Sequence, residues 1–156
     1  MAICNQRTSD DDHAVLQRFF ASGGSIRMLA DVAQPDMDTL FAYATQLFEA
    51  GDISAARNFF FMLARIDHWN FDYWLSLGLC YQRLAQHEEA TFCFSRAGMI
   101  NVVDPRASYF AGVSYRFMGN LEYARKAFRA ALNWCGERDE HRAIKASAME
   151  HLIQCE

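Results

Sequence analysis

The residues able to do chemistry are five histidines (His13, His68, His87, His141, His151), five cysteines (Cys4, Cys80, Cys93, Cys135, Cys155) and scattered carboxylates. A histidine beside a carboxylate would point to acid–base or metal chemistry, and a thiol beside a cation to a nucleophile. Their spacing builds neither. There is no H-E-x-x-H, no C-x-x-C and no serine in G-x-S-x-G, and the glycines form neither a P-loop nor a dinucleotide fingerprint. Asp139-Glu140-His141 is the nearest approach to an acid–base or metal set, but neighbours on a helix point in different directions, which reads as a solvated face. Cys80 and Cys93 read as small buried hydrophobes, and an odd cysteine count without paired spacing indicates neither a disulfide framework nor a zinc ribbon. The expectation is no catalytic residue, no metal and no cofactor.

With no chemistry to position, the elements themselves carry the message. The chain has 156 residues, 52% hydrophobic and 22% charged, with two prolines, which is enough apolar material for one folded domain. Net charge is −4, and Lys126 and Lys145 are its only lysines, so a phosphate backbone would meet no basic field and nucleic acid is excluded as a partner. No apolar stretch of signal-peptide length opens the chain, and the longest apolar run, 59–64, is too short to span a bilayer. A protein that stays in a reducing cytosol, with no membrane insertion, is the expectation.

Slid against itself, the sequence matches at a spacing of 34 residues. Phe60, Phe94 and Phe128 share one column; Ala56, Ala90 and Ala124 another; the small Ala44, Gly78 and Gly112 a third; the bulky Leu47, Tyr81 and Tyr115 a fourth. Small residues let two helices approach, and large ones fill the space between neighbouring pairs. Ala50-Gly51-Asp52 and Met118-Gly119-Asn120 each supply a glycine to end a helix and a cap to start the next, and Asp104-Pro105 is a cap followed by proline. Only Leu84-Ala85-Gln86-His87 lacks the glycine. This is the helix–turn–helix tetratricopeptide pattern. It predicts an all-α protein with helix pairs at 37–50 with 53–66, 71–84 with 87–100, and 105–118 with 121–135.

The array needs covers at its ends. Residues 12–22 are helical in pattern up to Gly23-Gly24, after which Ser25 caps a short helix through Val32, and residues 138–155 form a last helix. The expected organisation is an N-terminal extension (1–36), three repeats (37–70, 71–104, 105–138) in a short right-handed superhelix, and a C-terminal capping helix (139–156). Leu16, Phe19 and Phe20 share a helical face, and Ile26, Met28 and Leu29 follow the glycines. That is more apolar surface than one capping role requires, and it predicts a self-complementary dimer patch, the alternative being an ordinary cap in a monomer.

The first helix of each repeat lines the concave side, and helical spacing turns its second, fifth, ninth, twelfth and thirteenth positions inward. From these come the candidate groove residues Phe41, Thr45, Phe48, Leu75, Leu79, Gln82, Tyr109, Val113, Arg116 and Phe117. The large apolar ones together amount to a patch on the order of several hundred Å², the size of a binding site, the alternative being that they pack on one another or on the terminal helices. Repeat proteins that grip acidic tails place lysine and asparagine in this groove. Here the fifth positions are Phe41, Leu75 and Tyr109, which suits an apolar peptide, with Asp38, Asp72, Arg83, Arg106 and Arg116 left to orient it. A generic scaffold joining folded partners, or a metal or thiol enzyme, are the competing functions.

Arg18-Phe19-Phe20, then Gly23-Gly24-Ser25-Ile26-Arg27-Met28-Leu29, then three repeats with Asp72-Tyr73-Trp74 and Leu77-Gly78-x-Cys80-Tyr81-Gln82 in the second, resemble the class II chaperones of bacterial type III secretion systems, most of all the branch serving intracellular pathogens. The resemblance runs unbroken over residues 12–137. It implies an all-helical, non-enzymatic virulence chaperone of the bacterial cytoplasm that keeps two hydrophobic, pore-forming translocators soluble and secretion-competent. It further implies an extended N-terminal client segment in the groove and a homodimer formed through the N-terminal helical region. His68 departs from the family, where a proline often closes the repeat, and so does the segment after Cys135.

Overall fold

The computed structural model describes residues 9–155, and Cys4, with the start of the expected extension, lies outside the described residues. The described chain is all helix: α1 (Ser9–Ala21), α2 (Ile26–Leu29), α3 (Gln34–Glu49), α4 (Ile53–Ile66), α5 (Phe71–Arg83), α6 (His87–Ile100), α7 (Pro105–Phe117), α8 (Leu121–Cys135) and α9 (Arg142–Ile153). Helices α3 to α8 form three antiparallel pairs stacked in sequence, each pair packing on the next. None of these helices is long and apolar enough to cross a membrane.

Local chemistry sets the boundaries. Gly51 and Gly119 adopt φ of +87° and +74°, and the next residues, Asp52 and Asn120, accept hydrogen bonds from the amides of Ala55 and Tyr123. The middle repeat builds the same turn without those residues. Ala85 takes φ +58° and Gln86 caps without a side-chain bond, a conformation costing about 1–2 kcal/mol for a residue with a Cβ. Glu88 and Glu89 in the first turn of α6 act in the opposite sense, their charge favoured by the helix N-terminus.

Three expected boundaries move. Helix α3 begins at Gln34 rather than near 37, because Pro35 has the fixed φ suited to a first turn. Ser25 does cap α2, accepting from the Met28 amide, but the helix stops at Leu29 and not Val32, since Asp31 turns left-handed at φ +50°. The single last helix becomes a 3-10 turn, Asp139–His141, leading into α9. Helix α9 packs on α8 and touches α7 much as α7 packs on α6 and touches α5, so it stands where the first helix of a further repeat would stand.

The 34-residue columns meet within each repeat. A Cβ added at Gly78 would lie 2.5 Å from the Phe94 ring, and one at Gly112 would lie 2.7 Å from Phe128. The second-helix phenylalanine therefore seats on the small residue of its own first helix, and Phe94 also stacks on Phe110 of the next repeat at 5.8 Å. The sequence pattern placed this residue only between pairs; it serves both contacts. Ala56, Ala90 and Ala124 are fully buried.

Helix α1 stands apart, with no extended packing against any other helix. Its tether runs through Gly23, whose carbonyl accepts from Trp69 Nε1 at 2.9 Å, and through Arg27, 3.4 Å from Asp67.

Two measurements test this core. Gly78→Ala is expected to lower stability by roughly 1–3 kcal/mol through overpacking against Phe94, and pairing it with Phe94→Leu should recover part of the loss; thermal melts that leave Gly78→Ala at the wild-type midpoint would contradict the contact. Burial pushes the Cys80 and Cys93 thiols up to about 12, with Cys80 and Glu89 adding to the effect at Cys93. A charged disulfide reagent at pH 8 is therefore expected to spare both in the folded protein and label them on unfolding.

Candidate peptide-binding groove

The concave side is built by the first helices α3, α5 and α7. Five of the predicted residues, Phe41, Thr45, Phe48, Leu75 and Leu79, surround one depression of about 280 Å³. Phe60 and Ser76 also line it, with Asp72 and Arg106 at its edge. Phe41 is held edge-on against Phe60 at 5.5 Å and lies 5.5 Å from Tyr73, so the wall is preformed. Leu75 is almost entirely covered, at 5% exposure, and contributes floor rather than wall. The Thr45 hydroxyl donates to the Phe41 carbonyl at 2.9 Å, so it is satisfied within α3.

Charge decorates the rim. Arg106 is 3.4 Å from Asp72 and 2.8 Å from Asp104, with its guanidinium 4.9 Å above the Phe71 ring. Burial works against ionisation of Asp104, but side-chain and backbone hydrogen bonds from Arg106 outweigh it and hold the carboxyl below its usual range. Arg83 sits 5.3 Å over the ring of Phe48, another predicted wall residue, in cation–π geometry. Gln82 Nε2 donates to the Phe110 carbonyl at 3.1 Å and to Ser114 Oγ at 2.8 Å, which ties α5 to α7 across the concave side.

The third repeat is arranged differently. Tyr109 lies 6.0 Å from both Phe128 and His151, and Val113 packs on the cluster of Ala124, Phe128 and Ala148. Arg116 donates to His151 Nδ1 at 2.8 Å and to Gln154 Oε1. These three predicted residues therefore face α9. Phe117 lies elsewhere: 65% exposed, it stacks on His87 at 5.0 Å, beside the turn that opens α6 and apart from the depression. Sequence reasoning missed His151 and Gln154 because the repeat columns stop before α9. Phe60 was assigned to packing alone, although its column places it directly under the wall. Among the described residues no group of three or more histidine, cysteine or acidic side chains converges as a metal site would require.

Of the predicted self-association residues, Leu16, Phe20, Ile26, Met28 and Leu29 are exposed. Phe19 is instead turned onto the backbone of Gly24, where an added Cβ would lie 2.3 Å from its ring.

Models of the tetratricopeptide repeat match residues 37–70, 71–99 and 105–137. The chain is 24% identical over 153 residues to the low calcium response locus protein H of Yersinia pestis, covering 96% of this chain and 91% of that protein. Among solved structures it superposes with a TM-score of 0.88 on a chain of a type III secretion complex from Aeromonas hydrophila, 27% identical over 91% of this chain and 95% of that one. It also superposes with a TM-score of 0.78 on PcrH of Pseudomonas aeruginosa, solved with the chaperone-binding region of PopD, at 26% identity over 80% of this chain and 93% of that one. The likeness thus extends from the N-terminal helices through the repeats: the chain is similar to type III secretion chaperones, and it belongs to the tetratricopeptide-repeat family.

Proposed function

We propose that this protein is a non-catalytic chaperone of the bacterial cytoplasm that binds hydrophobic translocator proteins and holds them soluble until secretion. The observation that carries the reading is the preformed apolar depression between α3 and α5, walled by Phe41, Phe48 and Leu79 and open on the concave side. PcrH, whose fold the chain shares, was solved with the chaperone-binding region of PopD. An extended apolar client segment fits such a groove because its alternate side chains enter pockets while its backbone stays accessible to polar groups at the rim. Arg106, Asp72 and Arg83 are placed to set its direction. Each fully buried anchor contributes on the order of 1.5–3 kcal/mol, offset by the cost of ordering the segment. A few anchors are enough for capture and release without nucleotide hydrolysis.

The division of labour follows. The repeats at 37–138 present the groove, residues 139–156 close its far end, and residues 1–36 carry the self-association surface, so that the free protein is a homodimer.

Co-expression with a hydrophobic translocator protein is the direct test. Leu79→Asp, and Phe48→Ala with Thr45→Asp, are expected to reduce recovered soluble client at least tenfold while leaving the helical signal intact. Full client recovery by these variants would overturn the groove assignment. Tyr109→Ala is expected to behave differently and to cost roughly 1–3 kcal/mol of stability, below the usual figure for a fully buried aromatic because the ring is half-buried; an unchanged melting midpoint would contradict its packing against α9.

A further inference from the structure

Helix α9 continues the repeat register past the last complete pair. Ala146 falls 34 residues after Gly112, in the small column, and Met149 falls 34 after Tyr115, in the bulky one. On α7 the small residue lies under a ring of the second helix, since a Cβ at Gly112 would come 2.7 Å from Phe128. On α9 no second helix follows among the described residues, and the same face is open: Ala146 is exposed, and beside it Met149 and Ile153 are 52% and 69% exposed. The three lie at i, i+3 and i+7, on one side of the helix. A helix that ends a repeat array only to solvate it presents a polar outer face. This one does not.

The register also places charge beside this face. Phe61 with Trp74 and Leu77 borders one depression between neighbouring pairs, and Ser95 with Ser108 and Ala111, one repeat on, borders the next. A further repeat on, the same three positions are Arg129, Arg142 and Lys145. Arg129 has no ion pair among the described residues. Arg142 and Lys145 pair with Asp139 and Glu137, whose side chains are almost wholly in solvent, so these pairs hold the cations only weakly.

The complete repeats specify what such a face takes. Each second helix carries an alanine four residues before a phenylalanine, as Ala90 and Phe94 in α6 or Ala124 and Phe128 in α8, and α6 opens on Glu88 and Glu89. In a second copy of the chain these apolar faces are already buried within their own repeats, so the occupant belongs to another protein. The far end of the concave side lies against α9 through Tyr109 and Arg116. A client segment leaving the groove there is about one helix diameter, roughly 10 Å, from the open face, a span of about three extended residues. Held that close, even a weak contact is strengthened by its high effective concentration.

We propose that α9 receives an amphipathic helix of the translocator client, which completes a fourth repeat in trans. An aromatic side chain of that helix seats on Ala146, its apolar neighbours cover Met149 and Ile153, and its carboxylates face Arg129, Arg142 and Lys145. The proposal rests on the groove reading above and adds a helical contact to the extended one.

The test is photo-crosslinking on the full chain co-expressed with a hydrophobic translocator protein, with a benzophenone side chain at Met149 or Ile153 on α9 and, separately, at Thr45 in the groove. Crosslinks to the client are expected from all three positions, those from Met149 and Ile153 mapping outside the segment caught at Thr45. Ala146→Arg, which fills the seat and adds a cation at an exposed position, is expected to reduce the Met149 and Ile153 crosslinks at least fivefold and to leave the Thr45 crosslink, the circular dichroism and the melting midpoint unchanged. Capture at Thr45 with silence at Met149 and Ile153 overturns the proposal and leaves the groove standing. Crosslinks from Met149 and Ile153 to a second copy of the chain instead of the client also overturn it. Silence at all three positions counts against the groove reading as well.

Discussion

The structure depends on one steric fit, a phenylalanine ring seated on a residue too small to resist it. Gly78 under Phe94 and Gly112 under Phe128 leave no room even for a methyl group, and Ala44 holds the same column in the first repeat. The contact sets how closely the two helices of a repeat approach. Because Phe94 also reaches Phe110, the contact that closes one repeat sets the angle at which the next is added. Repetition of that unit turns a local fit into a curved array whose first helices share one side.

Function follows from what this packing leaves over. Once the second helix covers one face of each first helix, the opposite face in the first two repeats is left without a covering helix among the described residues, and it stays apolar. Phe41 and Phe48 are kept in place by aromatic and cationic neighbours rather than by burial, with Phe60 behind one and Arg83 over the other. A site of this kind is ordered before a peptide arrives, which lowers the cost of binding it. The third repeat does not share this freedom. Helix α9 covers its end through Tyr109, Val113 and the Arg116–His151 contact, so the groove is most open between α3 and α5.

Much of this was legible in the sequence because it repeats. Columns of small and aromatic residues 34 apart specify helix pairs independently of any single propensity, and glycine followed by a capping side chain marks the turns after α3 and α7. What could not be read had no repeat to support it. Ala85 adopts a left-handed turn that its type disfavours, held there by the helices on either side. Pro35 and Asp31 act through backbone angles and shift boundaries that hydrophobic pattern leaves blurred. For the groove, position numbers identify which residues face inward in the first two repeats but say nothing about α9, so the partners of Tyr109 and Arg116 were invisible. Phe117 shows the limit of helical spacing at a helix end, where the turn's own contacts, here the His87 ring, decide where a side chain rests.

The central claim is that the concave face of the first helices, and not the convex face, holds the client. Photo-crosslinking reads this most directly: a benzophenone side chain is placed at Thr45, Leu79 or Ser76 on the concave side and at Met99 or Tyr123, both exposed on second helices, and the protein is co-expressed with its translocator. The account predicts crosslinks to the client's N-terminal segment from the three concave positions and none from Met99 or Tyr123. Crosslinking from the convex positions with silence at Thr45 and Leu79 would contradict it.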